Sequence, residues 1–231
     1  MAEVTKQRWD EAQDYEKNWW LNNKEENISK AYKKGANKIE EEIKDLIKIN
    51  KKTKILQIGS GPEDVINYFT KGELYGIEPL ADFFKEKGLL KKSRVKVIKG
   101  VGENLPFKDN SLDVIIIINV LDHCQSPKKV LSEIKRCLKK EGILYIRTYV
   151  RPNLFLPLLR IVWKTKLSTA KGHPHLFSEK DSLKMLNKSG FLVLKTTSTK
   201  KGRIKFKSMK SPRLFIQRVI EYGYTCVCKK R

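Results

Sequence analysis

The sequence is poor in the residues that most often build a metal or disulfide framework. It has three histidines and four cysteines in 231 residues. Cys124, Cys137, Cys226 and Cys228 show no C-x-x-C spacing, so they read as small core or edge residues rather than a zinc or redox centre. Cys226 and Cys228 alternate and should share one face of a last strand. No metal-ligand cluster, P-loop, nucleophile elbow or internal repeat is visible. No apolar run reaches the roughly 18 residues of a membrane-spanning helix, and Met1–Arg8 lacks the apolar core of a secretory signal, so the expected location is cytoplasmic. Acids are scarce as well: 26 against 49 Lys and Arg, a net charge of +23. From Arg151 onward there are 20 basic and 3 acidic residues, so that third carries +17 of the total. Two readings of it are open, solubility and base composition, or contact with an anionic partner such as lipid head groups or RNA.

What is present centres on Lys54-Ile55-Leu56-Gln57-Ile58-Gly59-Ser60-Gly61-Pro62. The apolar run reads as a buried parallel strand, and Gly-Ser-Gly ends it at a turn into a helix expected over Glu63–Thr70. Glycines at such a turn admit a ligand where a Cβ would collide, and the N–H groups beyond it face that ligand. The third glycine of G-x-G-x-x-G is missing. A second strand, Glu73–Glu78, ends in an acid about 20 residues on, the place from which dinucleotide folds bind ribose hydroxyls. Helix Ala81–Leu90, a third strand from Val95, a fourth strand ending in Asn119-Val120-Leu121-Asp122-His123, helix Ser126–Leu138 and strand Ile143–Tyr149 follow. The alternation predicts an α/β, Rossmann-like, doubly wound sheet.

The segments "ILQIGSGP", "GIEP", "GENLPFKDNSLDVIIIINVLDH" and "VLSEIKRCLKKEGILYI", in that order, resemble the class I S-adenosylmethionine-dependent methyltransferases. They look nearest to the type 11 group that includes quinone-biosynthesis and many small-molecule methyltransferases. Residues 50–150 carry the resemblance strongly and "GHPHLFSEKDSLKMLNKSGFLVLK" more weakly. It implies a seven-stranded sheet, mostly parallel with one antiparallel strand, and S-adenosylmethionine as cofactor. It implies an N-terminal helical cap over residues 1–50 and a methyltransferase domain over 51–231, with a substrate insertion around 151–175. Gly59 and Gly61 would hold the cofactor loop and Glu78 the ribose hydroxyls, with Pro79 against the adenine. Glu103 or its neighbour Asn104 would meet the adenine amine, or Glu103 would cap its loop. Asn119 would approach the methionine half.

On the acceptor side, His123 is read either as a general base for the substrate or as a histidine that orients its loop. Tyr15, Trp19 and Trp20 either dock the first helix or line the site. One of His173 and His175 is expected to look into it. The apolar insertion is read as a helix on the rim or as an interfacial segment. The expected function is methyl transfer to a small-molecule, lipid-like or carboxylated acceptor, with no metal. RNA methylation by the basic third and a non-catalytic binding role are the alternatives, so a nucleic-acid partner stays open beside a small or amphiphilic one.

Overall fold

The computed structural model describes residues 3–22, 28–153, 156, 172–199 and 222–231. Two helices come first, α1 (Lys6–Asn22) and α2 (Ile28–Ile43). They are followed by β1 (Lys54–Ile58), β2 (Glu73–Glu78), α3 (Ala81–Glu86), β3 (Lys96–Lys99), β4 (Leu112–Ile118), α4 (Pro127–Cys137), β5 (Leu138–Val150), α5 (Glu179–Lys188), β6 (Phe191–Thr199) and β7 (Tyr222–Lys230). The strands form one seven-stranded sheet in the order β3-β2-β1-β4-β5-β7-β6. β7 runs antiparallel to both of its neighbours, and β1 to β5 pair in parallel. Strand order reverses direction between β1 and β4, and the crevice at their carboxyl ends is where such sheets take ligands.

β-branched residues dominate the central strands because both faces are covered. Successive side chains alternate between two cores. Ile115, Ile117, Leu144 and Ile146 pack with Val130, Leu131 and Ile134 of α4. Val114, Ile116, Ile143 and Tyr145 pack with Ala36, Ile39 and Ile43 of α2. Pro127 opens α4, where a missing N–H costs nothing. Ser178 and Asp181 form a reciprocal capping box at α5. Cys226 and Cys228 lie in the same core, and all four cysteines are free and buried.

Several boundaries differ from expectation. The helix expected over 63–70 is a single 3-10 turn, Val65–Tyr68: the Asp64 side chain is its N-cap and sets its start, and Phe69, already extended, ends it. α3 stops at Glu86 rather than Leu90. Gly88, at φ +64°, donates to Lys85 O and Leu89 N donates to Phe84 O, a Schellman ending. β5 begins at Leu138, directly after α4, instead of at Ile143. Most of the insertion (154–155 and 157–171) and the basic stretch 200–221 lie outside the described residues. Among the described residues no helix is long and apolar enough to cross a membrane.

Candidate active site

A cleft of about 560 Å³ opens at the carboxyl ends of β1 and β4. Its floor is the turn after β1. Gly59 (φ +67°) and Gly61 (φ +54°) both take the left-handed conformation that glycine adopts without strain. A Cβ on Gly59 would lie 2.3 Å from Val120 Cγ2, so the turn is pressed against the segment that follows β4. Between them Ser60 is buried beneath β2, and a Cβ on Gly76 would reach within 2.6 Å of its hydroxyl. Glu78 closes the floor. Its Oε2 accepts from Gly61 N at 2.9 Å and its Oε1 from Leu80 N at 3.0 Å. The side chain is buried, and that burial raises its carboxyl above the ordinary range against the pull of the two N–H donors. Behind the floor, Gln57 is fully buried and satisfied by donating to Asp64 Oδ2 and accepting from Ile66 N.

The roof is α1. Trp9, Gln13, Glu16 and Trp20 recur at helical spacing and line the cleft, with Tyr15 and Trp19 beside them. Trp20 stands edge-on to Phe84 at 5.8 Å and to Trp19 at 5.0 Å. A Cβ on Gly61 would sit 3.4 Å from the Trp20 ring, so the roof rests on the glycine turn. The start of the chain is tethered by Val4 N donating to Gln125 O at 3.0 Å and by a Glu3–Lys129 ion pair.

The far end of the cleft is polar. Asn119 follows β4 at φ +52°, held by its N–H to Arg147 O at 2.8 Å, and its side-chain Oδ1 is buried without a partner. Glu103 lines the cleft while its Oε1 accepts from Ser126 N at 3.0 Å, bracing the start of α4. Asp122 is buried with Oδ2 2.7 Å from His173 Nδ1. The His123 ring lies 4.3 Å from that of His173, and its Nδ1 is 3.4 Å from Glu16 Oε1. Burial opposes ionisation of Asp122, but the two imidazoles beside it hold its carboxyl well below the usual range. Burial raises the Glu16 carboxyl. Burial likewise opposes charge on His173, but its hydrogen bond to Asp122 together with the charges of Asp122 and Glu16 outweighs that and raises it.

The structure thus gathers Gly59, Gly61, Glu78 and Pro79 at one end of the cleft, with Glu103 and Asn119 between. Tyr15, Trp19 and Trp20 form the roof, and His123 and His173 the far end. Two candidates stand outside its lining. Asn104 is exposed in the tight turn where its N–H donates to Val101 O. Buried His175 turns away to Cys124 O, 2.9 Å from Nε2, so of the two histidines it is His173 that faces the cleft. Glu16 and Gln13 are site residues that the sequence reading does not name. Their signal is the spacing they share with Trp9 and Trp20.

S-adenosylmethionine fits this cleft on the structure's own terms. Two glycines leave the floor without side chains, a buried carboxylate sits where a diol would donate, and the orphaned Asn119 Oδ1 awaits a donor. Residues 56–146 match a protein family described as "Methyltransferase domain". An uncharacterized protein of Methanocaldococcus jannaschii is 33% identical over 128 residues, covering 54% of this chain and 60% of its own. A thiol S-methyltransferase of Rattus norvegicus is 30% identical over 132 residues, 53% of this chain and 54% of its own. The chain spans about half the length of the curated relatives it matches. Among solved structures, the YcgJ protein of Bacillus subtilis superposes with a TM-score of 0.59 at 17% identity, over 84% of this chain and 98% of that one. Geranyl diphosphate C-methyltransferase of Streptomyces coelicolor does so with a TM-score of 0.60 at 12% identity, over 84% and 79%.

Proposed function

Because the chain carries a class I S-adenosylmethionine-dependent methyltransferase domain, we propose that it transfers the cofactor's methyl group to a small acceptor, lipid-like or carboxylated, held beneath α1. The observation that carries this reading is the roof. Trp9, Tyr15, Trp19 and Trp20 enclose a cleft of about 560 Å³, within the range of small-molecule sites. That volume accommodates a nucleoside cofactor and a compact acceptor, and its aromatic lining favours an apolar body with one polar end. The thiol S-methyltransferase relative and a sterol 24-C-methyltransferase of Gibberella zeae, 27% identical over 154 residues, are named for small acceptors. RNA methylation rests on the basic third, whose stretch 200–221 lies outside the described residues.

In this reading the cofactor supplies a methyl carbon already activated by its sulfonium, so the protein's work is orientation and exclusion of water. Glu78 accepts the ribose hydroxyls while its backbone donors hold the glycine turn. Asn119 Oδ1 accepts from the amino group of the methionine half. Trp20 covers the glycine turn, and residues 1–50 act as the cap. His123 faces the cleft, and in this reading its imidazole takes the proton of an O–H or S–H acceptor.

The test is transfer of tritiated methyl from S-adenosylmethionine to a panel of thiols, fatty and aromatic carboxylates, prenyl phosphates and total RNA, beside calorimetric binding of S-adenosylhomocysteine. Micromolar binding with transfer to a small acceptor is expected. Transfer to RNA alone, or binding with no transfer to any of them, overturns the acceptor reading. Absence of binding overturns the cofactor site.

A further inference from the structure

Three segments far apart in sequence meet at the acceptor end. Asp122 and His123 follow β4, His173 precedes α5, and Glu16 comes down from α1. Asp122 Oδ2 is 2.7 Å from His173 Nδ1 and 3.8 Å from His123 Nε2, and the ligand atoms of these three residues all lie within 4.8 Å of one another. Two polar atoms of the group, Asp122 Oδ1 and His123 Nδ1, are buried without a hydrogen-bond partner. A buried carboxylate oxygen left unpaired is expensive, and here Asp122 is only 5% exposed.

We propose that Asp122, His123 Nε2 and His173 Nδ1 bind one divalent transition-metal ion. The inference takes its place at the acceptor end from the proposed function, but ion binding itself does not depend on methyl transfer. Donors around an ion at about 2.1 Å stand about 3 Å apart when adjacent, a spacing bracketed by the observed 2.7 and 3.8 Å. Parting Asp122 from His173 by a few tenths of an ångström opens the position. Two imidazoles and one carboxylate favour zinc, manganese, iron(II) or cobalt over magnesium or calcium, and such a face leaves coordination positions open. Glu16 Oε1, 3.4 Å from His123 Nδ1, stands where a carboxylate orients a ligating imidazole through its other nitrogen. Two carboxylates, Glu16 and Asp122, face the group, and among the described residues Arg151 is the buried cation beside it.

With the ion bound, His123 is a ligand rather than a base. The acceptor's O–H or S–H gives its proton to solvent on binding the ion, and the resulting anion keeps the lone pair that forms the new bond to the methyl carbon. The cysteines provide an internal check. Cys124 also lines the cleft, but burial holds its thiol well above the usual range and its Sγ is turned to Val120 O.

The experiment is titration of the chelator-stripped full chain with Co²⁺ and Zn²⁺, read by visible absorption and calorimetry. Wild type, His173→Gln, His123→Gln and Asp122→Asn are compared, with S-adenosylhomocysteine binding as the check that each is folded. About one ion per chain is expected, with cobalt ligand-field bands and no thiolate charge-transfer band. Removing a partner that merely orients a ligand weakens metal binding about 10–100-fold, so loss of a ligand should weaken it by at least about tenfold. No ion bound by the wild type, a thiolate band, or unchanged affinity in folded His173→Gln overturns the site. S-adenosylhomocysteine binding that persists without metal binding leaves the methyltransferase reading standing alone, whereas its absence in wild type removes that reading and not the metal site.

Discussion

Glu78→Gln alters a single functional group at the glycine-turn end of the cleft, and its consequences separate into two observables. Both carboxylate oxygens are occupied, Oε2 by Gly61 N at 2.9 Å and Oε1 by Leu80 N at 3.0 Å. Whichever way the new amide is turned, one backbone N–H faces an NH₂ group and loses its acceptor. An unsatisfied buried donor costs about 1–3 kcal/mol. In a chain of 150–250 residues that corresponds to a fall in Tm of about 2–4 °C per kcal/mol. This loss is felt with or without cofactor. The second loss appears only on binding. Hydrogen bonds from ribose hydroxyls to a charged acceptor contribute about 1.5–3 kcal/mol, against about 1 kcal/mol for a neutral one. Two hydroxyls therefore lose about 1–4 kcal/mol together, a rise in Kd of roughly 5- to 700-fold. Calorimetry with S-adenosylhomocysteine gives the Kd and a thermal melt gives the Tm. Burial raises the Glu78 carboxyl, and the bound state needs it ionised. Wild-type affinity should therefore weaken on acidification from above the ordinary glutamate range, and that dependence should vanish in Glu78→Gln. A folded variant whose Kd is unchanged within about twofold would refute the ribose assignment and leave Glu78 as a staple for its loop.

Gly59→Ala should destabilise the chain and abolish cofactor binding, because the left-handed backbone alone costs about 1–2 kcal/mol and the new Cβ would lie 2.3 Å from Val120 Cγ2; urea unfolding that matches wild type would contradict this. Arg136 bridges Glu133, Asp109 and the carbonyls of Leu105 and Phe107. Arg136→Ala is expected to lose about 1.5–3 kcal/mol, and Arg136→Lys to recover only part, since an ammonium lacks the planar fork; equal melting of Lys and wild type would count against it. Burial pushes the Asp64 carboxyl up from 3.8 to about 7. Between those values the folded chain holds a proton that the unfolded chain has released, so this residue's contribution falls as pH rises through the window. The stability difference between wild type and Asp64→Asn, from urea midpoints at pH 5 and pH 8, should therefore shift against wild type at the higher pH; a pH-independent difference would exclude a raised Asp64.

The parts of the fold legible in the sequence are those whose cause is local. A β-branched run buried on both faces, two glycines ending it, an acid one strand later and Pro127 opening a stripe of Val130, Leu131 and Ile134 each state their own structure. Boundaries were less legible where side-chain caps decide them. Asp64, as N-cap, delays the start of the turn to Val65, the extended backbone at Phe69 ends it although Val65, Ile66 and Phe69 share an apolar spacing, and Gly88 ends α3 despite the leucines beyond it. Gly59, Gly61 and Glu78, proposed to hold the cofactor, lie in one strand–turn–strand unit that the sequence displays. Of the cluster at the opposite end, His123 and His173 are singled out by the sequence, whereas Glu16 and Asp122 come from segments that no short motif or periodicity joins to them. Asn104 and His175 show the limit from the other side. Each lies within two residues of a cleft residue in sequence, yet a tight turn exposes the first and Cys124 O draws away the second.

The two ends of the cleft are mechanically joined by α1. Trp20 rests on the glycine turn and Glu16, one helical turn earlier, reaches His123. Tyr15 packs against Gly172, whose Cβ would fall 2.9 Å from its ring, at the start of the segment that carries His173. A displacement of α1 that uncovers the glycine turn must therefore also withdraw the carboxylate from the histidine. The buried residues of the helix are Ala12 and Gln13, and Val4 and Glu3, just ahead of it, add a backbone hydrogen bond and an ion pair. Elements with little buried apolar surface open at the low end of the stability range. α1 is thus the element expected to lift for exchange of cofactor and product, and the geometry makes the site's two halves assemble together or not at all.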